Sequence, residues 1–489
     1  MHCLVEVQPG KLSGFSDGTV AAFIGVPYAE APTGKDRFKP ARPITSWEGA
    51  RPARAWASIC YQPTVPTEYG WGNEWGAIHM SEDCLHLNIW APLSGLGNPE
   101  ARLPVLFWIH GGGFSGGSPS WMKTDGRRLA SRGDGVVVSV THRLNVFGHL
   151  YLAEVAGAGY ESSANVGHLD IVLGLEWVRD NIGRFGGDAG NVTIFGDSGG
   201  AAKVGCLMAM PAAKGLFHKA KMQSGVRLVG PTTDQGAEYT RIFLTELGIQ
   251  PNEWEQLQDV APERLVAAYW KLAFTGDPAV QPGPMVDGHA LLKGPVDAVG
   301  GGSAREVPLM IGTCSDELTR LPTLRGQVEE RLRSHAETLL ARYRSQRPDV
   351  PNDNLRSALV TDAAFRVASI RLAEAQLDAG QRDVYMYIFS WGSEVMPEYA
   401  GSHGLAIPFF FDNVDRPLAT SLDASSRPLA ARMSEALVAF AKTGNPGWQA
   451  YDCERRATMV FDRECRVVED PDGDFRKAWD GIPSALMGI

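Results

Sequence analysis

The segment Gly196-Asp197-Ser198-Gly199-Gly200 constrains the fold of this chain more than any other. The apolar run Val192-Thr193-Ile194-Phe195 leads into it and reads as a buried strand, and the small-residue run from Gly200 to Met210 leads out of it as a helix. G-x-S-x-G between a strand and a helix is the setting of a sharp turn that exposes a serine hydroxyl at the top of a sheet. The flanking glycines admit a turn that β-carbons would block. Ser198 is therefore the first candidate nucleophile, and the chain around it is expected to build strands with helices packed beside them.

The rest of the chain repeats that alternation. Val105-Leu106-Phe107-Trp108-Ile109 is a continuous apolar run, the pattern of a central parallel strand covered on both faces. Strands are predicted at 20–27, 85–90, 135–140, 220–223, 307–312 and 384–389. Leu169, Leu173, Trp177, Ile182 and Phe185 recur at helical spacing, and Leu429, Met433, Leu437 and Phe440 mark a late helix stopped by Gly444 and Pro446. Strands alternating with helices predict a doubly wound, mostly parallel sheet. Residues from about 231 to 300 and 319 to 380 read as amphipathic helices inserted over the sheet's C-terminal edge, where open α/β sheets place their sites. No linker or repeat divides the 489 residues, which predicts one α/β unit spanning 1–489.

Composition excludes several classes of function. The chain is 44% hydrophobic and 21% charged, with a net charge of −10 and no basic tract, which argues against nucleic acid as a partner. No apolar run reaches the roughly 18 residues of a membrane span. The start, Met1 to Glu6, reads directly into a strand, so a cytoplasmic protein is expected, or a mature form whose leader was removed. Seven cysteines are too few for a disulfide scaffold, and no Cys/His cluster suggests a metal. Cys3, Cys206 and Cys314 sit in apolar contexts as buried thiols. Cys453 and Cys465 flank a short strand and are placed to pair across a hairpin, or to remain free.

Serine hydrolysis needs a base, an acid that orients it, and donors for the oxyanion. His110-Gly111-Gly112-Gly113-Phe114 directly follows the central strand, and its glycines let backbone N–H groups approach a substrate oxygen. Gly112 and Gly113, with the N–H of Gly199, are the candidate donors. In an elbow-type chain the acid and then the histidine follow the serine. Of His218, His289, His335 and His403, the last lies in a small-residue loop after the strand at 384–389, where catalytic groups concentrate. Asp316 and Glu317 both follow the strand at 307–312, and position does not choose between them. A histidine base predicts a rate that rises with pH through about 6–7.

With these residues in view, the chain resembles the type-B carboxylesterases, which include the cholinesterases and the bacterial para-nitrobenzyl esterases. The likeness rests on Phe23 to Ala29, Arg37-Phe38-Lys39-Pro40, Glu82-Asp83-Cys84-Leu85-His86-Leu87-Asn88, His142 to Gly148, and Phe185 to Ser198. It implies an α/β-hydrolase fold, no cofactor, a monomer or homodimer, and a Ser198, Glu317, His403 triad with Gly112 and Gly113 in the oxyanion hole. It assigns the acid to Glu317 rather than Asp316. It implies a disulfide between Cys60 and Cys84 in an oxidising compartment, and buried structural ion pairs Arg37–Glu82 and Arg143–Asp170. It places aromatics in segments that line a gorge: Phe114, Trp391 and Phe409, with Trp71, Trp75, Trp121, Phe274 and Phe410. The competing expectation is that half or more of these are core residues. The chain departs from the family's usual G-E-S-A-G at Asp197 and Gly199. Leu318 and Ile407 replace a glycine and a carboxylate beside the acid and the histidine.

The leading expectation is hydrolysis of carboxylic esters through an acyl-enzyme. The alternatives are an esterase-like scaffold that binds without catalysis, a long-chain lipase, or a carbamate or amide hydrolase.

Overall fold

The computed structural model describes residues 2–63, 79–275, 282–318, 324–416, 418–421 and 423–488, with the backbone alone at 99, 274, 275, 418 and 419. Thirteen strands among these residues form one sheet: β1 (His2–Val7), β2 (Gly10–Ser16), β3 (Val20–Pro27), β4 (Ala50–Pro52), β5 (His86–Pro92), β6 (Leu103–Ile109), β7 (Val136–Val140), β8 (Gly187–Asp197), β9 (Lys219–Gln223), β10 (Leu309–Cys314), β11 (Val384–Phe389), β12 (Ala457–Phe461) and β13 (Arg466–Glu469). Their order is β1-β2-β3-β5-β7-β6-β8-β9-β10-β11-β12-β13, with β4 beside β2. From β7 to β12 every pairing is parallel. The outer pairings β1–β2, β2–β3, β3–β5, β5–β7 and β12–β13 are antiparallel.

Side-chain alternation explains why the central strands read as unbroken apolar runs. In β6, Val105, Phe107 and Ile109 enter one core while Leu106 and Trp108 enter the other. The first core is covered by helices Val166–Asn181, Gly199–Ala209 and Val367–Asp378. The second is covered by Arg127–Ser131, Ile407–Phe410 and Ser426–Thr443. The late helix ends where Gly444 takes a left-handed φ of 81°, a conformation glycine adopts without a Cβ penalty. Val367–Asp378 belongs to the stretch expected over the sheet edge, but it lies against β10 and β11 and closes the first core.

Two ion pairs, one buried and one partly buried, tie the N-terminal segment to this frame. Arg143 donates to Asp170 at 2.6 and 2.8 Å, and its remaining N–H groups reach the carbonyls of Arg37 and Lys39 at 3.0 and 2.8 Å. Arg37 in turn donates to Glu82 at 2.6 and 2.8 Å and to the carbonyls of Leu257 and Val260. The side chains of Arg143 and Asp170 are 2% and 0% exposed, so neither charge has water as an alternative partner. Removing one partner from such a pair costs about 3–5 kcal/mol, because the other stays buried and uncompensated. Asp170→Ala is expected to lower unfolding stability by that amount in urea titration. A change of less than about 1 kcal/mol, the scale of an exposed pair, would contradict this account.

Candidate active site

Four parallel strands deliver the candidate residues to one edge of the sheet. β6 ends at the glycine loop, β8 at Ser198, β10 at Glu317 and β11 at the loop of His403. Between β8 and the helix Gly199–Ala209, Ser198 adopts φ 57° and ψ −129°, a strained conformation for a residue with a side chain. Its backbone is held on both sides: the N–H donates to Gln223 O at 2.8 Å, and the carbonyl accepts from the Ala202 N–H at 3.0 Å. Ser198 itself remains partly exposed.

The acid and the histidine meet directly. His403 Nδ1 lies 2.6 Å from Glu317 Oε2, with side chains 2% and 0% exposed. Glu317 Oε1 accepts from the Cys314 N–H at 2.8 Å, so both carboxylate oxygens are occupied. With Nδ1–H donating to the carboxylate, Nε2 of the neutral ring is left as the basic nitrogen. The two loops are joined beside this contact. The Ser315 N–H donates to Phe389 O and the Asp316 N–H to Gly401 O, both at 2.9 Å, and Asp316 pairs with Ser402 as a parallel bridge. Asp316 is partly exposed, and its Oδ1 accepts from the Leu318 N–H at 3.0 Å. The geometry thus joins Glu317 to the histidine. His289 is exposed, and His218 Nδ1 accepts from the Val192 N–H at 3.1 Å.

The glycine loop lies against the start of the elbow helix. Gly112 and Gly113 have φ of 96° and 62°. A Cβ on Gly199 would fall 2.5 Å from Gly113 Cα and closer still to the Gly113 carbonyl oxygen. The far side of the loop is fastened by the Asn145 N–H on Phe114 O at 2.6 Å and by Gln62, which exchanges two hydrogen bonds with Gly117 at 2.7 and 3.1 Å.

Buried charge surrounds the site, and sequence reasoning passed over most of it. Burial raises the Asp197 carboxyl to about 6, against the pull of His403 and Lys221. Burial lowers the Lys221 ammonium to about 7; its Nζ donates to Gln223 Oε1 at 2.8 Å. Lys203, on the elbow helix, is also lowered to about 7 by burial. Beside it His110 and His149 are each lowered to about 3, chiefly by burial, and His142 and His168 well below their usual range. All four rings are neutral at physiological pH. At Lys203 a lysine within a run of small, apolar residues was a readable signal; Lys221, between Lys219 and Gln223, gave none. The π-helical turn Asp362–Arg366 gave no such signal. It sets Phe365 5.2 Å from the His403 ring, and just before it Thr361 Oγ1 accepts from the Glu317 N–H at 3.4 Å.

Several expected pocket residues are core instead. Trp391 and Phe409 are both 0% exposed and pack on each other at 5.0 Å in the second core; Phe410 is buried there too. Phe409 also packs on Phe389 of β11 at 5.0 Å, and the Trp391 indole N–H donates to Ser425 Oγ at 3.1 Å. Phe114 is 8% exposed and Trp121 is 3% exposed. Trp71 and Trp75 lie outside the described residues, as does the side chain of Phe274. Cys60 and Cys84 are free buried thiols in contact rather than a disulfide; the Cys60 hydrogen bond and burial push the Cys84 thiol well above its usual range. Cys453 and Cys465 are free as well. Among the described residues no cluster of His, Cys, Asp or Glu is arranged to hold a metal, and no helix is long and apolar enough to cross a membrane.

The whole chain has counterparts among known proteins. The pattern of the Carboxylesterase family matches residues 2–464. The chain is 36% identical over 492 residues to the para-nitrobenzyl esterase of Bacillus subtilis (strain 168), covering 97% of this chain and 98% of that protein. It is 32% identical over 465 residues to the fumonisin B1 esterase of Sphingopyxis macrogoltabida, covering 90% and 82%. Its fold superimposes on the crystal structure of carboxylesterase EST55 from Geobacillus stearothermophilus with a TM-score of 0.86 at 35% identity, over 97% of this chain and 99% of that one. Matched along nearly its full length in both sequence and fold, the chain belongs to the carboxylesterase family.

Proposed function

We propose that the protein hydrolyses carboxylic esters through an acyl-enzyme on Ser198. The observation that carries this reading is the buried 2.6 Å contact between Glu317 and His403, on loops that leave the sheet at the same edge as the strained elbow of Ser198. His403 Nε2 takes the Ser198 proton as Oγ attacks the acyl carbon, and returns it to the leaving alcohol. Glu317 orients the ring and stabilises its cation. The N–H groups of Gly112, Gly113 and Gly199 receive the oxyanion, where loss of one donor raises a barrier by about 2.7–4 kcal/mol. Water then enters, is deprotonated by His403, and releases the acid. The residues described here supply a base, an acid and oxyanion donors, so the reaction needs no further group.

Hydrolysis of p-nitrophenyl esters from acetate to palmitate, with Ser198→Ala beside the wild type, tests this reading. Turnover that peaks at short chains and disappears in the variant is expected. A maximum at palmitate would assign a lipase. Turnover retained without Ser198 would overturn the mechanism, and silence on every chain would favour a binding scaffold.

The histidine and its acid carry a second expectation. The rate should rise with pH and level off, since only the neutral imidazole accepts a proton. Glu317→Gln should lower kcat by on the order of 10³- to 10⁴-fold by favouring the wrong tautomer. A flat profile from pH 5 to 8 with chemistry rate-limiting, or an undiminished Glu317→Gln variant, would contradict these roles.

A further inference from the structure

Lys203 has no part in the reaction just described, yet it touches the machinery. It is 0% exposed, on a helix whose every residue is buried. Its Nζ donates to the carbonyl of Gly113 at 2.8 Å and to that of His110 at 3.3 Å, the fourth and first residues of the glycine loop. It also lies 5.7 Å from the centre of the Phe114 ring. The neighbouring histidines are neutral and supply no counter-charge. Both the ammonium and the amine carry hydrogens, so the contacts to the two carbonyls persist in either form.

Helical geometry links Lys203 to Gly199. The two are four residues apart, hence on one face, and a long helical side chain leans back toward the N-terminus over the residue four before it. Lys203 therefore reaches over Gly199 to the Gly113 carbonyl, the atom that a Cβ on Gly199 would strike first. A loop of glycines has no side chains of its own to fix its height. Here one amine draws it down, and one missing Cβ leaves room for it.

We propose that Lys203 and Gly199 form a clamp that sets the position of the oxyanion loop over Ser198. Lys203 is a positioning residue: it fixes the carbonyls of the loop, and through them the placement of the Gly112 and Gly113 N–H groups relative to that of Gly199. The clamp rests on Ser198 being the nucleophile, and the two are separable by experiment. A wild type without Ser198-dependent turnover fails that assignment, whereas a failed clamp shows as Ser198-dependent turnover that changes at Lys203 leave intact.

The test is a double-mutant cycle of Lys203→Met, Gly199→Ala and the pair, with Lys203→Gln as a partial rescue. It reads kcat and KM on the best p-nitrophenyl ester, the Kd of a trifluoromethyl ketone with the same acyl chain, and Tm. The ketone forms a tetrahedral adduct whose oxygen needs the aligned donors. Lys203→Met should lower kcat and the ketone affinity together by about 10- to 100-fold, the scale of ångström misplacement, with KM changed by less than about threefold. Gly199→Ala alone should lose about tenfold or more, because the clamped loop cannot yield to the new methyl. In the Lys203→Met background the same change should lose about threefold or less, because contacting sites couple. Lys203→Gln, which keeps one donor on a shorter arm, should recover part of the rate. Unchanged ketone affinity in Lys203→Met, losses that multiply in the double variant, or variants that merely unfold would overturn the clamp.

Discussion

The pairing of β10 with β11 does not stop where the strands end. It runs on through the Ser315–Phe389 and Asp316–Gly401 hydrogen bonds and the Asp316–Ser402 bridge, to within one residue of both Glu317 and His403. A carboxylate and an imidazole, each nearly sealed from water, need their positions fixed by something other than their own attraction. That attraction is strong in a low-dielectric interior, but it is offset by the desolvation of both groups. The backbone ladder supplies the position. The Cys314 N–H occupies the second carboxylate oxygen, so the contact with His403 joins groups already held in place. The sheet can afford this precision because it is covered on both faces and its central strands have no freedom to shift register.

The same edge concentrates strain and buried charge. Ser198 sits in a backbone conformation that its side chain disfavours, held by bonds to Gln223 and Ala202. Asp197, Lys221 and Lys203 each lose hydration, and their ionisation shifts toward neutrality through burial. Such groups are expensive in a core and are expected where they position or polarise something. Lys203 has an identifiable partner in the glycine loop. Asp197 feels the field of both Glu317 and His403, so the residue before Ser198 belongs electrostatically to that buried pair.

Much of this was legible in the sequence, for physical reasons that differ by residue. The apolar run at 105–109 announced a doubly covered strand because side chains alternate between two cores. Ser198 was legible because a strained turn needs glycines around it. His403 stood out because, of the four histidines that follow the serine, it lies in a small-residue loop after the strand at 384–389. Asp316 and Glu317 could not be told apart by position, since adjacent loop residues differ only in which way the turn points them. Trp391 and Phe409 were misplaced because an aromatic has the same hydrophobicity on a gorge wall as in a core, and only packing decides. Phe365 and Thr361 were hidden because a π-helical turn leaves no pattern in composition. The family resemblance implied a disulfide between Cys60 and Cys84, whereas both are free thiols here; whether neighbouring thiols bond depends on the redox environment, which residue spacing does not encode.

The central claim is that Ser198 is the one serine activated by the Glu317–His403 pair. The most direct measurement is peptide mass spectrometry after treatment with a fluorophosphonate, with His403→Ala treated in parallel. The account predicts a single phosphonyl group per chain, on the peptide carrying Ser198, and almost none in the variant over the same time. Labelling of a different serine, or labelling of Ser198 at an equal rate without His403, would contradict it.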